Sequence, residues 1–179
     1  MSGHSKWSQI KHKKAITDQK KSSAFGKLAK FIAVAARDNP DPRTNLRLKS
    51  AIEHARSYDM PNDNIDRILK KASDRSQAQL FELVLEAFGP GGVGIIITAI
   101  TDNRNRTIGD IKTLLSKNNA QLAGQGSVVW MFKKEGLDYT PNIPIVIDQA
   151  AQQKLNTLFE ALDNHDDVQE IFSNNESTS

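Results

Sequence analysis

Near residue 80 the spacing of apolar residues changes period, and this change limits the fold more than any other feature of the chain. Before it, apolar side chains recur at steps of three and four, which places them on one face of a helix. Ser22 or Ser23 is expected to cap a first helix carrying Phe25, Leu28, Ile32 and Ala35. The prolines of the DNPDP stretch, 38–42, must end it. A second helix is expected from about Asn45, with Leu48, Ile52 and Ala55 on one face. Pro61 suits the first turn of a third, which carries Ile65, Ile68, Leu69 and Ala72. The polar SDRSQAQ stretch, 73–79, reads as a linker.

After residue 80 the period becomes two. Phe81, Leu83, Leu85 and Ala87 alternate with Glu82, Val84 and Glu86, as in a half-buried strand. GPGG, 89–92, signals a turn, and the β-branched run Val93 to Ile100 suits a central strand covered on both faces. Helical spacing returns over 105–118 through Ile108, Ile111 and Leu115. Strands are expected over Gly126 to Phe132 and Ile143 to Ile147. Asp148 then caps a helix bearing Ala151, Leu155, Leu158 and Leu162. A final strand, Val168 to Phe172, precedes a polar NNESTS tail expected to fray. The fold class is α+β: a three-helix domain, then a ferredoxin-like βαββαβ domain with an extra strand in front. The expected boundaries are a flexible basic arm over 1–21, the helical domain over 22–76 and the α/β domain over 80–175.

The net charge of +3 conceals a division. Residues 1–76 hold 17 Lys and Arg against 8 Asp and Glu, a net of +9; residues 77–179 hold 7 against 13, a net of −6. Cysteine is absent, so disulfides, thiolate metal sites and a cysteine nucleophile are excluded, and a reducing compartment fits. The amino terminus lacks the apolar stretch of a secretory signal, and the longest apolar run is too short for a bilayer, which needs about 20 residues. A cytoplasmic location without membrane partners is expected.

A basic arm with interleaved aromatic rings has a specific chemistry open to it. Lys6, Lys11, Lys13, Lys14, Lys20 and Lys21 surround Trp7 and His12, and Lys27 and Lys30 follow on the first helix. Each phosphate neutralised by a lysine releases condensed counterions, so affinity needs no fixed fold. Trp7 can stack on an unpaired base. Arg37, Arg43 and Arg47 extend the cationic footprint into the helices, and Arg56 and Arg67 continue it. A charge run is often no more than a solvated face, but this density favours a polyanion: duplex DNA, ribosomal RNA or the ribosome itself. Arg104 and Arg106, in the DNRNRT stretch before a helix, form a possible anion site, although they can equally pair with acids. Gly89, Gly91, Gly92 and Gly94 precede a strand and lack a following Gly-Lys-Ser/Thr, so they read as turn residues rather than a phosphate loop. His4, His12, His54 and His165 show no metal-ligand spacing. No enzyme activity, metal or cofactor is implied, and the sequence does not encode an oligomeric state that can be read.

Several longer segments carry a resemblance. GHSKW (3–7), IKHKKA (10–15), AAR (35–37), MPNDNIDR (60–67), GPGGVGIII (89–97), TDNRNRT (101–107), GSVVWMF (126–132) and DDVQEIFSN (166–174) occur in that order along nearly the whole chain. On these residues the chain resembles the YebC family, which is described also through the pseudomonad regulator PmpR and the mitochondrial translational activator of cytochrome oxidase subunit one. The resemblance implies a DNA-binding transcriptional regulator, or a translation factor acting on ribosomes stalled at proline-rich sequences. It also implies that the basic helical domain meets nucleic acid. Family members carry a further α/β domain between the WMF segment and the last helix. Here only KKEGLDYTPNI separates Phe132 from Pro144, so this chain resembles a short form without that insertion.

Overall fold

The computed structural model describes residues 18–74 and 76–177, which form two compact units; the chain passes from the first to the second near residue 81, and residues 100–102 group with the first. In the first, helices α1 (Asp18–Ala36), α2 (Leu46–Ser57) and α3 (Asn62–Ala72) bury Leu28, Ile32, Leu48, Ala51, Ile52, Ala55, Met60 and Ile65 in one core. Their three-and-four spacing is the period read from the sequence. Helix α1 begins at Asp18, ahead of the expected serine cap. Gln19, Lys20 and Lys21 are good helix formers by intrinsic propensity. The helix therefore runs back through Ser22 and Ser23.

Asn45 joins the first two helices. Its side-chain oxygen accepts from the Leu48 N–H at 3.0 Å and caps α2. Its amide donates to the Ala35 carbonyl at 2.7 Å and to the Asn39 carbonyl at 2.6 Å. One side chain thus satisfies orphan groups at the end of α1 and the start of α2. Pro61, with φ −60°, directly precedes α3.

The second unit begins with a hairpin, β1 (Phe81–Phe88) and β2 (Gly94–Thr101), closed by a Gly89 N–H to Val93 carbonyl bond of 2.8 Å. Helix α4 (Arg104–Lys117) carries the chain across to β3 (Gln121–Ala123) on the far side of β1. A small hairpin follows, β4 (Phe132–Glu135) with β5 (Asp138–Pro141), and then β6 (Ile145–Ile147). Helix α5 (Gln149–Asp163) starts at the Asp148 cap, whose oxygen accepts from Ala151 N–H at 2.7 Å. Strands β7 (Val168–Ser173) and β8 (Asn175–Ser177) complete the unit.

The main sheet runs β3-β1-β2-β7, with β1/β3 and β2/β7 antiparallel. Strand β2 is covered on both faces, as its unbroken apolar run requires. Ile95, Ile97 and Ala99 pack with Ile111 and Leu115 of α4 and with Leu155, Leu158 and Leu162 of α5. Ile96 packs on the other side with Val128, Phe132, Tyr139 and Phe172.

The α+β arrangement, three helices followed by a sheet with two crossing helices, is the one expected. Its strands are distributed differently. The strand expected in front of a βαββαβ unit is an inner strand of the sheet, between β3 and β2. The strand expected over Gly126 to Phe132 is instead a turn and a single 3-10 turn, Val129–Met131, before β4. The backbone N–H groups of Gly126, Val128 and Val129 point at the Glu86 carboxylate, at 2.6, 2.6 and 2.8 Å, rather than into a strand ladder. Residues expected as a plain connection form the β4–β5 hairpin, turning at Gly136 with φ +64°, a backbone state in which glycine carries no Cβ penalty.

The tail does not fray where expected. Asn174 is fully buried; its side-chain oxygen accepts from Gly94 N–H at 2.8 Å and its amide donates to the Ile143 carbonyl at 2.8 Å. Strand β8 then pairs in parallel with β6. Gly94 sits against this anchor. A Cβ there would lie 2.9 Å from a Val128 methyl and 3.0 Å from the Met131 sulfur. Gly94→Ala is therefore expected to cost about 1–3 kcal/mol by overpacking, read as a lower denaturant midpoint with unchanged slope.

Candidate nucleic-acid interface

The arm residues Lys6, Trp7, Lys11, His12, Lys13 and Lys14 lie outside the described residues. Lys20 and Lys21 lie in the first turn of α1, and Lys21 is half-buried. Further along the same helix, Lys30 is half-buried and Lys27 is only 9% exposed. Among the expected phosphate partners whose side chains the structure describes, Lys27 thus presents the least surface.

The three arginines differ in their surroundings. Arg37 is exposed and its guanidinium donates to the Leu80 carbonyl. Arg43 grips Asp41, with Nε 3.0 Å from Oδ1 and an NH2 group 2.8 Å from Oδ2. These side-chain hydrogen bonds hold the Asp41 carboxyl below its ordinary range and the Arg43 guanidinium above its own. Both groups face solvent. An exposed pair of this kind contributes roughly 0–1 kcal/mol, so a phosphate can take Asp41's place at little cost. Arg47 is half-buried, with its guanidinium carbon 5.6 Å from the centre of the Phe31 ring.

Lys49, Lys70 and Lys71 are exposed cations that were not singled out from the sequence; Arg56 and Arg67 are exposed too. The usable signal was their helical spacing. Arg67, Lys70 and Lys71 recur at steps of three and four on α3, so they share a face. Arg67 and Lys71 also line an open groove of about 320 Å³ between α1 and α3, with Phe25, Gly26, Ala29, Met60, Asn64 and Ile68.

At the start of α4 the Asn103 side chain accepts from the Arg106 N–H at 3.1 Å. The Arg106 guanidinium lies 3.1 Å from Asp167, and the Thr107 hydroxyl donates to the same carboxylate oxygen at 2.6 Å. Asp167 is 4% exposed. Its own N–H donates to His165 Nδ1 at 3.1 Å, and His165 Nε2 lies 3.3 Å from Asp110. One of the chain's own carboxylates already sits against Arg106 where an external anion was considered; Arg104 is exposed nearby in sequence. Among the described residues, no group of three or more His, Asp or Glu side chains is placed to hold a metal ion. Nor is any described helix long and apolar enough to cross a membrane.

Taken by fold and charge, this is a two-unit α+β protein in which a helical unit of basic sequence precedes an α/β unit of acidic sequence. The TACO1/YebC protein N-terminal domain matches residues 5–75, and the TACO1/YebC second and third domain matches residues 80–138. The chain belongs to the TACO1/YebC family. It is 44% identical over 169 residues to a probable transcriptional regulatory protein of Chlorobium phaeobacteroides, covering 93% of this chain and 68% of the relative. The corresponding protein of Chlorobaculum tepidum is 45% identical, at 93% and 67% coverage, and that of Solibacter usitatus 42% identical, at 97% and 70%. The crystal structure of a conserved hypothetical protein, Aq1575 from Aquifex aeolicus, superposes with a TM-score of 0.87 at 28% identity, covering 98% of each chain. This chain spans about two thirds of the length of the first two relatives. The second family match ends at residue 138, inside the β4–β5 hairpin.

Proposed function

We propose that this protein is a nucleic-acid-binding regulator of gene expression that acts in the cytoplasm by placing its basic amino-terminal half on a polyanion. The observation that carries this reading is the charge division, +9 over residues 1–76 against −6 over 77–179. Lys6, Lys11, Lys13, Lys14, Lys20, Lys21 and Lys30 neutralise phosphates and Trp7 stacks. Arg37, Arg43 and Arg47 widen the footprint, together with the exposed Lys49, Arg67, Lys70 and Lys71. The net negative charge of residues 77–179 weakens that half's attraction to the same polyanion and so favours the basic half as the main contact. Screening over a Debye length of about 8 Å confines that effect to close range.

The relatives' names, probable transcriptional regulatory protein, favour transcription as the setting, with duplex DNA as the polyanion we propose for it. A ribosome-associated translation factor is the second reading, favoured because no segment of the sequence carries the signature of a helix that reads bases in the major groove. Paired measurements separate them. A transcription regulator binds particular duplexes far more tightly than random ones. A translation factor co-sediments with ribosomes and binds all duplexes weakly and alike. Failure in both assays would refute nucleic-acid regulation altogether.

A further inference from the structure

Trp130, in the GSVVWMF segment, has no part in the interface described above, yet the α/β unit holds it in an unusual way. Its side chain is 58% exposed, on the 3-10 turn before β4. The flanking residues explain why the ring faces outward. Val128 is fully buried, Val129 and Met131 are half-buried against the core, and Phe132 is 6% exposed, so the turn spends its neighbours on the interior. The turn itself is fixed from below. The Glu86 carboxylate, in a residue only 6% exposed, accepts from the Gly126, Val128 and Val129 N–H groups. The indole is fixed too, because Nε1 donates to the Ser127 carbonyl at 2.8 Å.

An indole whose only polar group is already satisfied presents carbon surface to solvent and nothing that asks for a polar partner. A pinned ring also loses little rotamer freedom on binding. The lysines that follow in the sequence favour a nucleotide as the occupant. Residues 77–179 contain 7 Lys and Arg, and two of these, Lys133 and Lys134, follow Trp130 by three and four positions. Lys133 pairs with Glu135 at 2.5 Å, both exposed, so the ammonium can exchange that carboxylate for a phosphate at little cost. Lys134 is exposed, with its nitrogen 5.7 Å from the centre of the Tyr139 ring. A fixed stacking face followed at three and four positions by two exposed lysines, in a unit with few cations, matches an unpaired base with its neighbouring phosphates.

We propose that Trp130 is a stacking platform for an unpaired nucleobase, with Lys133 and Lys134 on the adjacent phosphates, forming a second nucleic-acid contact on the α/β unit. This rests on the nucleic-acid reading given above. It adds that the ligand has a single-stranded portion.

The full chain contains two tryptophans, so a Trp7→Phe background leaves Trp130 as the sole indole reporter. Within that background, binding of an end-labelled, unstructured RNA oligonucleotide is followed by anisotropy while indole emission is recorded. Emission quenches in step with binding. Adding Trp130→Ala weakens binding about 5- to 150-fold, the range expected for one stacked base, and Trp130→Phe restores much of it. The thermal transition of each variant stays in place, because an exposed side chain carries little packing. Binding without quenching, or equal affinity with and without Trp130, overturns the platform and leaves the basic-half reading standing. Absence of binding to RNA and to duplex DNA in the wild-type chain overturns both.

Discussion

Glu86→Ala is expected to remove about 3–5 kcal/mol from the stability of the α/β unit, on a scale where a whole domain commonly has 5–15. Three backbone N–H groups converge on this carboxylate, and the Val128 bond is fully buried. Truncation leaves donors facing a cavity, at about 1–3 kcal/mol for each one that water cannot reach. Glu86→Gln is expected to cost less but still destabilise, because its amide offers a single acceptor oxygen and turns N–H groups toward N–H groups. Denaturant unfolding followed through Trp130 emission, with Trp7 replaced by Phe, measures both.

The acid side gives a second reading of the same site. Burial pushes the Glu86 carboxyl up, but the three N–H bonds outweigh it and hold it below its ordinary 4.5. A group depressed on folding stabilises the protein above its unfolded pKa. That contribution is lost as pH falls below about 4.5 toward the depressed folded value. The stability gap between wild type and Glu86→Gln is therefore expected to be full at neutral pH and to shrink as the solution is acidified through that range. A gap that is constant with pH would show that the carboxylate charge is not what holds the turn.

The second large effect concerns binding. If six lysines engage duplex phosphates, the slope of log affinity against log salt is roughly −5, and affinity falls on the order of 10³-fold between 50 and 200 mM salt. Replacing Lys11, Lys13 and Lys14 together by Gln is expected to flatten the slope by nearly three, leaving a fall of roughly 40-fold over the same interval. The loss applies equally to every duplex sequence, because phosphate contacts carry no base information. An unchanged slope in the triple variant would remove the arm from the interface.

What could be read from the sequence was whatever local chemistry decides. Asn45 and Asp148 act on N–H groups three residues away, and both cap the helices they were expected to start. The Val93 to Ile100 run needs cover on both faces wherever it lies, and it has it. Contacts between distant residues were not legible. Gly126 to Phe132 has the composition of a strand, but it forms a turn whose N–H groups meet Glu86, forty residues earlier. Asn174 looked like the start of a polar tail, and its partner Gly94 is eighty residues away. Strand β3 is three residues long, too short to show a period.

The candidate interface divides in the same manner. Charge asymmetry is a property of composition and was visible at once. Which cations are engaged depends on the fold: Arg106 meets Asp167 sixty-one residues later, Arg37 reaches the Leu80 carbonyl, and Lys27 is buried. Trp130 was one letter in a recognisable segment. Its significance came from the exposure of the ring and the clamp beneath it.

The proposed function requires that the amino-terminal cations meet nucleic acid. The most direct measurement is ultraviolet crosslinking in living cells, with sequencing of the recovered DNA and RNA and mass mapping of the attached peptides. Abundant adducts are expected, with peptides mainly from residues 1–76, and the triple lysine variant is expected to reduce them several-fold. Recovery of nucleic acid no greater than from a version with all those lysines neutralised, or adducts confined to residues outside that half, would contradict it.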